Sequence, residues 1–378
     1  MEKKSVFDFS RSNLGMRKEM KLRTISYLHI GNGVNWKSNF YVYERKKVFF
    51  FEFEDIVKVF RKYGKPTNAF VNLFVNYISR GTHGSGLGEF FKNQGLNVDL
   101  ENDSSFKLPA LEELGNVKEG AVREIAEFCG GKFVYIPGSS LKGVVRTALL
   151  YEYWKKRKGD FERIIKDLRA DFKKGKDGFI NRADEKISEP FSKEIMSFIN
   201  FSDSERKPVE SVCAVALVKP PPFIPQIVVR PEVEFKFDVK VDEERLEIAL
   251  KSGKINEEKA NIIRNWKKCL YEFSQKLISA TSNIYPKSKY FLSSIEKKNT
   301  EQSPVINLGK GKGFISNTLW IVLGTKEDDF KYFQDIFRGI LRRRGFPPIT
   351  KRYIDGEIKG EFAQKIQMPM GWCKVIDS

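Results

Sequence analysis

The residues with the most chemical promise lie in one run, Ile136-Pro137-Gly138-Ser139-Ser140-Leu141-Lys142-Gly143-Val144-Val145-Arg146. A Pro-Gly turn and two hydroxyls precede an amphipathic segment in which Leu141, Val144, Val145, Ala148 and Leu149 recur at helical spacing. Ser139 or Ser140 is placed to cap that helix. Lys142 and Arg146, four apart, share a second face. A helix start presents free N–H groups and the positive end of the macrodipole, so a lysine in its first turn is mildly unfavourable unless an anion sits there. The hydroxyls of Ser139 and Ser140, the N–H groups, Lys142 and Arg146 together match a site for one or two phosphates. The same residues also describe an ordinary capped helix with two surface cations. The run is not a nucleotide P-loop, because Val144-Val145 stand where Lys and Ser/Thr are required. No GxGxxG opens a helix after a strand, which excludes the usual dinucleotide site.

Three further groups could act on a polyanion. Gly309-Lys310-Gly311-Lys312-Gly313 alternates glycine with lysine. Glycines there allow φ > 0, and successive N–H groups can form an anion-binding nest flanked by Lys310 and Lys312; a hairpin with solvent-facing lysines is the plainer reading. His29, in Leu28-His29-Ile30-Gly31-Asn32-Gly33, ends an extended stretch. It suits an acid/base or a ligand contact, but residues 31–40 hold no Asp or Glu to partner it. The basic set Arg338, Arg342, Arg343, Arg344, Lys351 and Arg352 exceeds what a helix C-terminus needs.

Composition agrees with these groups. The chain has 378 residues, 67 Lys+Arg against 49 Asp+Glu, and a formal net charge of +18, which points to a polyanionic partner. At 41% hydrophobic residues, with 32 Phe, it can bury a sizeable core, so wholesale disorder is excluded. Cys129, Cys213, Cys269 and Cys373 are far apart, with no CxxC pair, and read as reduced core thiols of a cytoplasmic protein. His29 and His83 are the only histidines. Neither a zinc site nor a local His-Asp metal pair is expected, and no cofactor. Residues 1–20 are charged throughout, unlike a signal peptide, and no apolar run reaches membrane-spanning length. No membrane partner is expected.

The elements that must position these groups follow from periodicity. Strands are expected over residues 22–30, ending in the Gly31-Asn32-Gly33 turn, then near 40–44, 48–53 and 132–136. Helices are expected over 67–80, 110–128, 256–285 and 328–343, and from Leu141 onward. Residues 81–88 read as a glycine loop and 92–105 as polar chain of little order. Residues 151–187, dense in both charge signs, read as a solvated helical insertion. The prolines at 220–222 and 225 read as a connection after the apolar run 212–218. Residues 233–241 alternate strictly, the pattern of a strand with one wet face. Strands at 305–308 and 314–323 flank the lysine–glycine loop. Strand runs interspersed with single helices give an α+β fold. Two β-α-β-β-α-β (ferredoxin-like, RRM-like) units account for it, residues 1–207 with the charged helical insertion and residues 208–378 with the glycine-rich loop.

The motifs, in order, resemble those of the RAMP superfamily of CRISPR RNA-binding proteins. IPGSSLKGVVRTALL (136–150) is similar to the superfamily signature, LHIGNG (28–33) to its N-terminal turn, FSDS (201–204) to its SDS segment, and 309–314 to its glycine-rich loop. FPPITKR (346–352) and MPMGW (368–372) resemble carboxy-terminal signatures of the head subunit of type III-A effectors. The resemblance implies two ferredoxin-like domains, no catalytic metal, and a non-catalytic subunit on the 3′ portion of the guide RNA. Its partners would be the guide RNA, a neighbouring backbone RAMP subunit, a small helical subunit and the cellular nucleases that mature the guide's 3′ end. It further implies that Ser139, Ser140, Lys142 and Arg146 touch guide phosphates, and that Gly309, Lys310, Gly311, Lys312 and Gly313 flank the RNA. His29, Arg342, Arg343, Lys351 and Arg352 complete the expected RNA-binding set. Target-cutting RAMP subunits carry an Asp in the loop after the first strand, and this chain has none there. Two other readings stay open: a RAMP-type metal-independent endoribonuclease using His29 or His83, and a general basic RNA-binding protein.

Overall fold

The computed structural model describes residues 17–64, 66–79, 86–112, 124–128, 131–174, 179–219, 224–313, 316, 318–325, 352–358 and 364–378. The fold is mixed α+β. Strand β1 (Lys18–Thr24) buries Met20, Leu22 and Thr24 on alternate positions. After it come β2 (Gly31–Lys37), β3 (Tyr41–Glu44) and β4 (Lys47–Phe50). Arg45 (φ 49°) and Lys46 (φ 61°) make the tight β3–β4 turn, both in the left-handed region that such hairpins require. Helices α1 (Phe53–Lys62), α2 (Thr67–Ser79), α3 (Leu87–Asn93) and α4 (Leu100–Asp103) lead to β5 (Phe106–Pro109). These helices enclose a separate apolar cluster that includes Phe51, Phe60, Phe70, Phe74, Phe90 and Phe91.

The chain continues through β6 (Glu124–Phe128), β7 (Phe133–Val134), α5 (Gly138–Lys155), α6 (Lys158–Lys173) and α7 (Phe179–Ser188). Next are β8 (Ile199–Phe201), β9 (Lys207–Pro208), α8 (Val209–Val212), β10 (Cys213–Val218), β11 (Ile224–Val229) and β12 (Glu234–Val241). Helices α9 (Glu243–Lys251), α10 (Glu257–Arg264), α11 (Trp266–Ile284) and α12 (Lys289–Lys298) precede β13 (Val305–Asn307), β14 (Tyr353–Ile358), β15 (Gln364–Pro369) and β16 (Trp372–Asp377). The main sheet has the order β13-β16-β1-β12-β8, antiparallel throughout, and takes strands from both sides of residue 207. A second sheet, β10-β11-β6-β2, contains one parallel pair, β11 with β6. Helices α5 and α11 belong to the main core, with Tyr151 edge-on to Phe273 at 5.6 Å. Leu141, Val144, Val145, Ala148 and Leu149 are all buried on the helix stripe read from sequence. At roughly 1.5–3 kcal/mol per large buried side chain, that stripe sets the rotation of α5. The helix-end electrostatics, at about 0.3–1 kcal/mol, are far weaker.

Several expectations are corrected. Residues 92–105 carry the end of α3 and all of α4, the latter capped by the Asp99 carboxylate accepting from the Asn102 N–H. The expected helix over 110–128 is, in its described part, an isolated bridge at Ala110 and the strand β6, which pairs with β2. The Gly31-Asn32-Gly33 turn is instead the first residues of β2, with a register shift between Gly31 and Asn35 that absorbs the glycines. The helix over 256–285 is two, broken at Asn265 (φ −95°, ψ 27°). Pro225 lies inside β11 opposite Leu217, near the strand's start where a missing N–H is tolerated. Trp320–Val322 is a 3₁₀ turn, not strand. The helix at 328–343, His83, Cys129, Arg342, Arg343 and Lys351 lie outside the described residues. Among those described, no helix is long and apolar enough to cross a membrane.

Candidate nucleic-acid interface

The chain reaches α5 through Tyr135-Ile136-Pro137, and Pro137 itself occupies the capping position. No serine caps the helix: Ser139 (exposed) and Ser140 (half-buried) sit inside its first turn. The cap comes from 65 residues away, where the Asp203 carboxylate accepts from the Gly138 N–H at 2.8 Å. Ser204 fixes this crossing: its hydroxyl accepts from the Ile136 N–H at 2.8 Å, and its own N–H donates to the Ile136 carbonyl at 3.0 Å. A side chain at Gly138 would collide with the carbonyls of Phe201 and Ser202, so only glycine lets the two motifs touch. The positive helix end is therefore already faced by one carboxylate. A phosphate approaching it would meet the Ser139 side of the first turn.

Lys142 and Arg146 do share a face, turned toward residues 188–200. The Lys142 ammonium donates to the Asn200 side-chain oxygen at 3.2 Å, and partial burial lowers its pKa. The Arg146 guanidinium is differently engaged. Its Nε donates to the Phe191 carbonyl at 2.7 Å and Nη2 to the Ser188 carbonyl at 3.3 Å. Arg146 thus anchors the chain that follows α7.

The lysine–glycine loop joins a second group of motifs. Gly309, Gly311 and Gly313 have φ of +82°, +87° and +84°, as alternate glycines permit. The Lys310 N–H donates to the His29 carbonyl at 2.7 Å, and the Arg352 N–H to the Gly311 carbonyl at 2.7 Å. Leu308 N–H donates to the Gly371 carbonyl at 2.7 Å, and Gly371 N–H to the Tyr27 carbonyl at 2.9 Å. Residues 27–29, 308–313, 352 and 370–371, remote in sequence, are thereby tied into one knot. It brings Lys310 (exposed), Lys312 and Arg352 (both half-buried) together. Burial pushes the Lys312 pKa down to about 8. The Lys310 N–H is spent on His29, so the nest has one donor fewer than the sequence suggested.

His29 is fully buried. Its Nδ1 donates to the Ile227 carbonyl at 2.8 Å, which leaves Nε2 as the unprotonated nitrogen, without a hydrogen-bond partner. Phe128 packs edge-on at 6.0 Å. Burial, aided by the nearby Lys310 charge, lowers its pKa from 6.5 to about 4. A side chain so enclosed and neutral is not placed for acid/base exchange with an RNA. It does make stability depend on pH. The unfolded chain binds a proton at His29 near pH 6.5 and the folded chain only near 4. Stability is therefore whole above the higher value and falls as pH drops toward the lower, by about 3 kcal/mol in all. His29→Gln should flatten this part of the unfolding midpoint's pH profile; parallel profiles for the two proteins would show that His29 contributes nothing to it.

The two motif groups do not merge into one cluster. Thr24, just before the knot, donates its N–H to the Val233 carbonyl, while Ser202 bonds Asp238, five residues along β12. At about 3.3 Å per residue, that is roughly 17 Å along the same sheet. Sequence reasoning missed Asp203, Asn200 and the exposed Arg206, whose guanidinium carbon lies 5.8 Å over the Tyr135 ring. The SDS segment was the signal for the first. Among the described residues, no group of three or more His, Cys, Asp or Glu could hold a metal ion.

A family model described as the RAMP superfamily matches residues 21–316. "CRISPR system Cms protein Csm5" of Streptococcus thermophilus is 31% identical over 136 residues, 35% of this chain and 37% of that protein. The protein of the same name from Methanocaldococcus jannaschii is 26% identical over 220 residues, 53% of this chain and 50% of that protein. The matches thus span half or less of the length of these curated relatives. A chain in the cryo-EM structure of a type III-A Csm–crRNA–target RNA ternary complex is similar with a TM-score of 0.66 at 19% identity, covering 96% of this chain and 100% of that one. The crystal structure of T. onnurineus Csm5 is similar with a TM-score of 0.64 at 18% identity, covering 94% and 99%. These two likenesses speak to the fold.

Proposed function

The chain belongs to the RAMP superfamily, and from that premise we propose that it is a Csm5-type head subunit of a type III-A CRISPR effector, binding the 3′ portion of the guide RNA without cutting it. The reading rests chiefly on the knot of residues 27–29, 308–313, 352 and 370–371, which gathers Lys310, Lys312 and Arg352 on a chain of net charge +18. Backbone-tracking cations of this kind hold a strand by its phosphates, with little regard for sequence. The two-unit reading belongs to the proposal: residues 1–207, as one ferredoxin-like unit, supply the start of α5, and residues 208–378, as the other, supply the loop. So do a neighbouring backbone subunit, a small helical subunit and recruited nucleases as partners, and a cytoplasmic setting.

The competing endoribonuclease reading would draw an acid/base histidine from His29 or His83. The buried, neutral His29 does not suit that role. Incubating the purified chain with CRISPR repeat RNA tests the choice. Salt-sensitive binding without cleavage in chelator is the expected result. Metal-independent cleavage lost in His29→Ala would overturn the non-catalytic reading.

A further inference from the structure

The small ladder that leads into α5 has a face which phosphate binding does not use. Phe133 of β7 lies opposite Pro208 of β9, and Val134 opposite Lys207. The ladder is prolonged at one end by the Val209 N–H donating to the Lys132 carbonyl, at the other by the paired Ile136 and Ser204. Residues directly opposite each other in an antiparallel pair share a face. On one face Val134 is buried, and Lys207 is half-buried with its ammonium 5.9 Å from the Phe235 ring. The other face carries Phe133 and Tyr135 along one strand, Pro208 and Arg206 along the other. Phe133 is 53% exposed; Pro208 and Arg206 are exposed, and Tyr135 is half-buried. Arg206 lies over the Tyr135 ring.

An exposed phenylalanine on a two-residue strand adds nothing to a core. Placed beside a guanidinium–tyrosine pair, it has the composition of a surface on which unpaired bases stack. The chain passes from this face straight into the first turn of α5, where Ser139 is exposed and Lys142 follows. A base on the ladder would leave its own phosphate within the reach of that turn. An apolar protein partner suits the face less well, because covering Arg206 would strip its water without supplying an anion.

We propose that Phe133, Tyr135 and Arg206 form a stacking platform for one unpaired RNA base, next to the start of α5. The proposal rests on the RNA-binding reading and adds to it a base-contacting site. Its test uses the full chain and single-stranded RNA oligonucleotides carrying one 2-aminopurine, moved position by position. At one position the fluorophore should be quenched on binding. Phe133→Ala should abolish that quench and weaken binding about tenfold. Phe133→Trp should retain both. An abasic nucleotide at that position should weaken the native protein but not Phe133→Ala. If RNA binds with its normal salt dependence and no position responds to Phe133→Ala, the platform is overturned while the RNA-binding function stands. If no RNA binds at all, both fall. If Phe133→Ala binds RNA normally but fails to join a neighbouring subunit, the face is a protein contact and the platform is overturned.

Discussion

Gly309→Ala is expected to cost about 3 kcal/mol or more of stability, while Gly143→Ala should gain about 0.5–1 kcal/mol. The chemical change is the same, and its surroundings reverse the sign. Gly143 lies within α5, exposed, with nothing within 4 Å of an added methyl group, so alanine only improves helix propensity. Gly309 has φ +82°, and a methyl group there would run into the His29 carbonyl oxygen and come within 2.8 Å of Leu28 Cδ1. Relief requires pulling the loop from His29, which breaks the 2.7 Å bond from the Lys310 N–H. That leaves a carbonyl unsatisfied beside a fully buried imidazole. Thermal unfolding of the two variants decides the matter. Equal midpoints would mean that the knot is looser than its hydrogen bonds indicate.

Removing Lys142 and Lys310 together is expected to lower affinity for single-stranded RNA by about ten- to a hundredfold at low salt. The slope of log K against log salt should become shallower by roughly 1.4, at about 0.7 per neutralised phosphate on a single strand. Arg146→Ala should behave in the opposite way. Its guanidinium is held by the Phe191 and Ser188 carbonyls, so its loss should cost about 1–3 kcal/mol of folding stability and leave the salt slope nearly unchanged. Salt-titrated binding of the double variant against Arg146→Ala separates an RNA contact from a structural anchor. An unchanged slope in the double variant would remove the phosphate-binding role of both lysines.

These two arginine and lysine fates mark how far the sequence could be read. The buried stripe of α5, the alternation of β12 and the extent of α2 were legible, because each is fixed by a local period that burial then rewards. Strand β6 was not. Its residues suit a helix until β2 and β11 claim them, and that pairing is set by chain far away. The break at Asn265 was hidden by an apolar stripe that runs on through both α10 and α11. At the candidate site, the alternation of glycine and lysine foretold the positive φ values of the loop. It could not foretell that His29 would take the Lys310 N–H. Spacing likewise put Lys142 and Arg146 on one face without revealing which of them the protein had already committed. The Asp203 cap, 65 residues from its helix, depends wholly on the tertiary crossing.

The strand order of the main sheet has a consequence for biosynthesis. Residues 372–377 slot between β1 and β13, with Leu22 opposite Val375 on one side and Ile306 opposite Cys373 on the other. A nascent chain still lacking them carries two raw edges with unmet hydrogen-bonding groups, the kind of template on which unfinished polypeptides zip together. Closure across so long a separation is slow. A ribosome stalled upstream of Trp372 therefore leaves a sticky intermediate, and chaperones have their best opportunity in the interval before that slot is filled.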